Sequence, residues 1–229
     1  MSFRFKQFFV EDSKCAMKVG TDGVLLGAWC PIVNRQSSNR KFLDVGTGCG
    51  LIALMLQQRC PKAEIEGIDI EEAAVEQAKE NGVKAFCSRL QEWHGSYDLI
   101  VSNPPYFQNC LKNPDKGREL ARHTDSLSYD ELVRHSARLL KADGQLALIL
   151  PAEAEKEVRQ LAASENLFLT HITRVYSKES KPARRVLMAF RKCTADKIQW
   201  NITEDTLVLE DDKGGRSLSY QELTKDFYL

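Results

Sequence analysis

At 229 residues, with 43% hydrophobic and 28% charged side chains, the chain has the makeup of one globular domain with a real core. Lys plus Arg and Asp plus Glu stand at 32 each, so no global field draws it to polyanions, and any nucleic acid must be held by a local patch. No apolar run is long enough to span a membrane, and Met1-Ser2-Phe3-Arg4-Phe5-Lys6 lacks the apolar centre of a signal peptide.

Taken in chain order, residues 3–10 and 15–19 read as a strand pair and residues 23–29 as a helix, within an extension of about 40 residues ahead of the core. Residues 41–45 read as a buried strand, 51–59 as an apolar helix ended by Pro61, and 63–69 as a second strand. A helix over 71–81 carries acids in its first turn and has Gly82 as its C-cap. Short strands follow at 83–87 and 98–102. Residues 104–127 form a long polar stretch without periodicity, of a length that in compact domains usually serves function. Ser128-Tyr-Asp-Glu131 is a capping box opening a helix through residue 140. Asp143-Gly144 turns into a strand at 145–150, a helix covers 153–165, and strands follow at 168–176 and 186–191. The tail, about 198–229, alternates, turns at Asp212-Lys-Gly-Gly and closes with a segment at 220–229.

Alternation of apolar runs with helical patterns implies βαβ units. The expectation is an α/β, Rossmann-like domain spanning 1–229, with a mostly parallel seven-stranded sheet and helices on both faces. The extension (1–40) would cover the site, and residues 198–229 would be a C-terminal addition. Seven scattered cysteines without a CxxC fit reduced thiols in a cytoplasmic protein, rather than a disulfide framework or a zinc site. No metal-ligand spacing stands out among the four histidines, and no obligate protein partner is evident.

Asp44-Val-Gly46-Thr-Gly48-Cys-Gly50 lies between a strand and a helix, where glycines permit a tight turn and close backbone approach to a ligand. A dinucleotide fingerprint is G-x-G-x-x-G and seats a pyrophosphate. Here the spacing is G-x-G-x-G, and the acid two residues ahead suits a ligand with a positive amino group. Asp69 ends the next strand, where a carboxylate can take both ribose hydroxyls. The set Asp44, Gly46, Thr47, Gly48, Gly50, Asp69 and Ile70 resembles the cofactor site of S-adenosylmethionine-dependent methyltransferases. One position departs from that pattern. Arg89 stands where an acid would face the adenine, which leaves adenine recognition to Leu90 and Gln91.

Asn103-Pro104-Pro105-Tyr106 follows the apolar run 99–102. Two prolines cannot continue a ladder, so the strand stops in a stiff turn at its C-terminal edge, where open α/β sheets bind ligands. The Asn103 amide oxygen and the Pro104 carbonyl can accept hydrogen bonds from a planar amine while Tyr106 stacks on the ring that bears it. These four are the candidate catalytic residues. Such a turn suits adenine N6, a guanine or cytosine amine, or a glutamine amide. It does not choose among them.

Ahead of the core, Phe5-Lys-Gln-Phe-Phe-Val10 and Cys15-Ala-Met-Lys-Val-Gly-Thr-Asp-Gly-Val-Leu-Leu-Gly-Ala-Trp29 are similar, nearly residue for residue, to the N-terminal signature of the bacterial tRNA(valine) adenine-N6 methyltransferase family. Residues 98–106, 118–124, 185–190 and Phe227-Tyr228-Leu229 also resemble that family, so the likeness spans nearly the whole chain. It implies methylation of N6 of the adenine just 3′ of the anticodon in a valine tRNA, with S-adenosylmethionine as donor. It also implies that Lys18, Thr21 and Asp22 line the cofactor or target pocket.

Two basic clusters are candidates for the tRNA backbone. One is Lys112, Lys116, Arg118 and Arg122, with His123 beside it; the other is Lys178, Lys181, Arg184 and Arg185. A non-catalytic RNA-binding module is disfavoured by the intact glycines, Asp69 and Asn103. A nicotinamide oxidoreductase is disfavoured by the glycine spacing and Asp44.

Overall fold

The computed structural model describes residues 2–32, 39–105, 127–193 and 201–229. Its elements are β1 (Ser2–Arg4), β2 (Phe9–Glu11), α1 (Thr21–Trp29), β3 (Lys41–Val45), α2 (Leu51–Arg59), β4 (Glu64–Asp69), α3 (Glu72–Glu80) and β5 (Lys84–Cys87). They continue with β6 (Tyr97–Ser102), α4 (Tyr129–Leu139), β7 (Leu140–Pro151), α5 (Glu155–Ser164), β8 (Leu167–Tyr176), β9 (Ala183–Lys192), β10 (Thr203–Val208) and α6 (Leu218–Thr224).

The main sheet has the order β10-β8-β9-β7-β6-β3-β4-β5, and β9 alone runs against its neighbours. Strand order reverses at β3, whose neighbours are β4 and β6, and the crevice at such a point is where ligands sit in doubly wound sheets. Side chains alternate across the strands, so two apolar layers form. Phe42, Leu99, Val101, Ala147 and Ile149 pack toward α1 and α2, whereas Leu43, Ile100, Leu146, Leu148 and Leu150 pack toward α4 and α5. Such double burial explains why the central strands read as continuous apolar runs.

Three expectations need correction. Among the described residues the sheet has eight strands rather than seven, because residues 203–208 of the tail add a strand parallel to β8. Residues 15–19 are not a strand; β1 pairs with β2 instead. Local hydrogen bonds decide this, since the Asp12 carboxylate accepts from the Val19 N–H at 3.0 Å and its carbonyl accepts from Lys18 Nζ at 2.8 Å. The strand at 145–150 is longer than read: β7 starts at Leu140, and Asp143-Gly144, with Asp143 at φ 63°, makes its turn inside β7, where the pairing with β6 jumps from Leu140 to Gln145 and the ladder with β9 begins.

The chain ends are joined. Lys6 N–H donates to the Phe227 carbonyl at 2.8 Å, and the rings of Phe5 and Tyr228 stack with centroids 5.8 Å apart. The helix begun at the capping box forms as read: Ser128 Oγ accepts from Glu131 N–H at 3.2 Å, and the Glu131 carboxylate accepts from Ser128 N–H at 3.0 Å. Replacing Ser128 by alanine is expected to cost about 1 kcal/mol of stability. In a thermal melt that corresponds to a fall of roughly 2–4 °C for a chain of this size, with Ser128→Thr falling less.

Candidate active site

Beyond β3 the backbone makes two left-handed steps, Gly46 at φ 70° and Gly48 at φ 55°. A Cβ built on either would meet nothing within 4 Å, so both face open space. Gly50 differs. At φ 84° it caps α2, and a Cβ there would lie 2.6 Å from Val83 Cγ2, so it is glycine for packing. The loop is fixed by β4, because the Ile68 carbonyl accepts from both Gly46 N–H (2.9 Å) and Thr47 N–H (3.0 Å). Asp69 Oδ2 accepts from Gly48 N–H at 2.9 Å, and its Oδ1 accepts from Glu71 N–H at 3.0 Å.

The open space over the glycines belongs to a cavity of about 1000 Å³. It is walled by residues 15–23 of the N-terminal extension, the glycine loop, the ends of β4 and β6, and the connection after β5. Of the residues singled out from the sequence, Gly46, Thr47, Gly48, Asp69 and Ile70 line it on one side. Leu90 and Gln91 line it in the connection after β5, and Asn103, Pro104 and Pro105 at the end of β6. Lys18, Thr21 and Asp22 close it from the extension. Arg89 also lines it, in the place where the methyltransferase pattern has an acid.

Asp44 and Gly50 do not line the cavity. Expected to face an amino group, Asp44 is instead wholly buried behind the loop, where its Oδ2 accepts from Thr47 Oγ1 at 2.7 Å. Burial pushes its carboxyl up to about 7, although the Thr47 hydroxyl and the Ala53 N–H of α2 pull the other way; nearby Asp69 adds a small further rise. Gln91, expected at adenine, donates from Nε2 to Glu131 at 3.1 Å, which ties the cavity wall to the α4 capping box. Arg185 is also placed differently from the expectation of phosphate contact. Its Nε donates to Asp22 Oδ2 at 2.9 Å, so β9 holds the start of α1. Lys181 and Arg184 are exposed in and beside the β8–β9 hairpin loop. Tyr106, Lys112, Lys116, Arg118, Arg122 and His123 lie outside the described residues.

Several cavity residues stand inside the quoted motifs without having been singled out there. Met17 is 48% exposed at the cavity wall, and Asn103 Nδ2 approaches its sulfur at 3.9 Å, which makes Oδ1 the other prong of that amide. Two buried thiols, Cys15 and Cys49, also line the cavity, and burial pushes the Cys49 thiol up to about 12, so it stays neutral. Among the described residues no group of three or more His, Cys, Asp or Glu is placed to hold a metal ion.

The raised Asp44 carboxyl has a defined consequence for stability. Its folded value lies above the unfolded value of 3.8, so the native state binds the proton more tightly and gains stability as pH falls through 7. Between pH 8 and pH 6 the gain is about 1.4 kcal/mol for a single group titrating near 7. Asp44→Asn is expected to remove this increment, read as the difference between the two proteins' denaturation curves across that range.

The family model for the methyltransferase small domain matches residues 31–168. A tRNA1(Val) (adenine(37)-N6)-methyltransferase of Phocaeicola vulgatus is 44% identical over 99% of this chain and 97% of its own length. One from Flavobacterium johnsoniae is 41% identical over 99% of both. Among solved structures, a predicted O-methyltransferase of Agrobacterium tumefaciens superposes with a TM-score of 0.69 at 16% identity, covering 90% of this chain and 96% of that one. A putative class I S-adenosylmethionine-dependent methyltransferase of Listeria monocytogenes gives 0.60 at 17% identity, covering 89% and 65%. Those two likenesses carry the fold, and the full-length relatives carry the family: the chain belongs to the tRNA1(Val) (adenine(37)-N6)-methyltransferase family.

Proposed function

We propose that this chain transfers a methyl group from S-adenosylmethionine to the exocyclic N6 of an adenine in tRNA, the adenine at position 37 named for its relatives, in valine tRNA. The observation that carries the reading is that Asn103 and Pro104, at the end of β6, line the same cavity as Gly46, Gly48 and Asp69. A strand-end amide acceptor and a donor-binding loop thus share one space.

The donor fits what is present. Bare backbone at Gly46 and Gly48 faces the cavity, and Asp69 offers a carboxylate with lone pairs beyond its two backbone bonds. Ile70, 48% exposed, offers an apolar surface beside it, and Leu90 and Gln91 form the far wall. S-adenosylmethionine supplies an electrophilic methyl group on a sulfonium, so the chemical difficulty lies with the nucleophile.

An adenine amine has its lone pair delocalised into the ring. Accepting its two N–H bonds at Asn103 Oδ1 and the Pro104 carbonyl favours a pyramidal nitrogen and stabilises the positive charge that develops on it. Hydrogen bonds to charged groups are worth about 1.5–3 kcal/mol, and each ~1.4 kcal/mol is tenfold in rate. Tyr106 is assigned to stacking on the extruded base, worth roughly 1–3 kcal/mol. The protein is read as one methyltransferase domain acting in the cytoplasm without an obligate protein partner, its residues 1–40 covering the site. Among the described residues no helix is long and apolar enough to cross a membrane.

Asn103→Ala is expected to lower turnover on the order of 10–10³-fold, while the affinity for S-adenosylhomocysteine changes less than threefold; near wild-type turnover would remove Asn103 from the chemistry. The acceptor is tested by transfer of labelled methyl to bulk tRNA, ribosomal RNA and total protein, with nucleoside analysis. Label in N6-methyladenosine from tRNA is expected, and label in a glutamine amide or a guanine would move the chain to a different acceptor. For the backbone contact, Arg184→Glu is expected to weaken tRNA binding and flatten its salt dependence by about one phosphate contact. Arg185→Glu is not an equivalent test, because it also sets a like charge against Asp22.

A further inference from the structure

We propose that Asn81 is a positioning residue that ties the N-terminal cover of the cavity to the glycine loop, so that donor binding and seating of the cover reinforce each other. The inference rests on the reading of the cavity as the donor site. Asn81 directly follows α3, outside the cavity. Its Oδ1 accepts from Glu11 N–H at 3.0 Å, and its Nδ2 donates to the Glu11 carbonyl at 2.8 Å. The amide thus pairs with the end of β2 much as a neighbouring strand would. The same Nδ2 donates to the Cys49 carbonyl at 2.8 Å, between Gly48 and Gly50. One side chain therefore grips both the cover and the loop.

One turn earlier on the same helix face, Gln77 is 1% exposed and holds the next residues. Its Oε1 accepts from Ser13 Oγ at 3.1 Å and from Lys14 N–H at 3.3 Å. From there to the cavity wall the cover is stiff, because Asp12 binds the Val19 N–H and Lys18 Nζ as described above. Cys15 packs in one apolar cluster with Cys49 and Leu51, at the loop itself. A shift at Glu11 therefore carries through residues 12–19 to Lys18 and its neighbours on the wall. Gln77 bonds the cover through Oε1 and Glu80 of its own helix through Nε2, whereas Asn81 bonds cover and loop together. Coupling between two sites is reciprocal, so whatever orders the Cys49 carbonyl favours the seated cover, and the seated cover favours the ordered loop.

The test is hydrogen exchange read by mass spectrometry on the full chain, with and without S-adenosylhomocysteine. In the wild type the ligand is expected to slow exchange in residues 44–52 and also in residues 8–14, which do not line the cavity. Asn81→Asp keeps an acceptor for the Glu11 N–H but turns a carboxylate oxygen toward two carbonyls. It is expected to retain ligand protection of 44–52, with affinity reduced about tenfold, and to lose the ligand response of 8–14. Should the aspartate variant not fold, Asn81→Ala gives the same readout. Gln77→Met is expected to speed exchange of 8–14 in the free protein while leaving its slowing by ligand intact. An Asn81 variant whose cover still responds like the wild type overturns the link. Wild-type protection of the loop without the cover overturns the coupling alone, whereas protection of neither overturns the donor-site reading beneath it.

Discussion

Two N–H groups sharing one carbonyl hold the site in shape: Gly46 and Thr47 both donate to the Ile68 oxygen, and Asp69 then takes Gly48. A loop that turns with left-handed glycines has little to stabilise it on its own, since glycine loses more conformational freedom on ordering than any other residue. The neighbouring strand supplies what the loop lacks. Because β4 lies beside β3 in register, with Val45 opposite Ile68, its C-terminal residues are presented to the loop at hydrogen-bond distance. Asp69 is therefore a structural brace and a cavity-facing carboxylate at once. Asp44, fully buried, braces the same loop from behind through Thr47.

The N-terminal cover depends on that loop in turn. Ahead of α1 its described residues form one short strand pair, and they are seated by Gln77 and Asn81 in and after α3, by Arg185 on β9, and by residues near 227. Each of these contacts joins the extension to a different part of the core. The cavity wall made by residues 15–23 is thus assembled from outside.

Local signals in the sequence proved readable where they depended on few residues. The α2 helix occupies the expected span, Gly82 follows α3 at φ 93°, and the Ser128–Glu131 box caps α4. The glycine run and the Asn-Pro-Pro turn fall at strand ends because glycine and proline restrict the backbone in ways that need no tertiary partner. What stayed hidden was long-range. Residues 15–19 alternate like a strand, yet Asp12 gathers them into a loop. Asp44 reads as a ligand contact, but the facing direction of β3 turns it toward the α2 terminus. Arg185 reads as a free cation, and its partner Asp22 lies 163 residues away in sequence. Thr203–Val208 is weakly patterned because an exposed edge strand needs apolar side chains on little of its surface.

The reversal of β9 has a wider meaning. In a sheet whose other strands all point one way, a single inverted strand brings its own beginning to the rim where the rest finish; Arg185 lies opposite Pro151 for this reason. The hairpin loop from 177 to 182 consequently opens on the ligand side, several strands away from the glycines. On the proposed reading, that rim would present Lys181 and Arg184 to the long nucleic acid while the glycines a few strands along take the small donor. The inverted strand also bridges the two stretches, because Arg185 near its start holds Asp22 on the cavity wall.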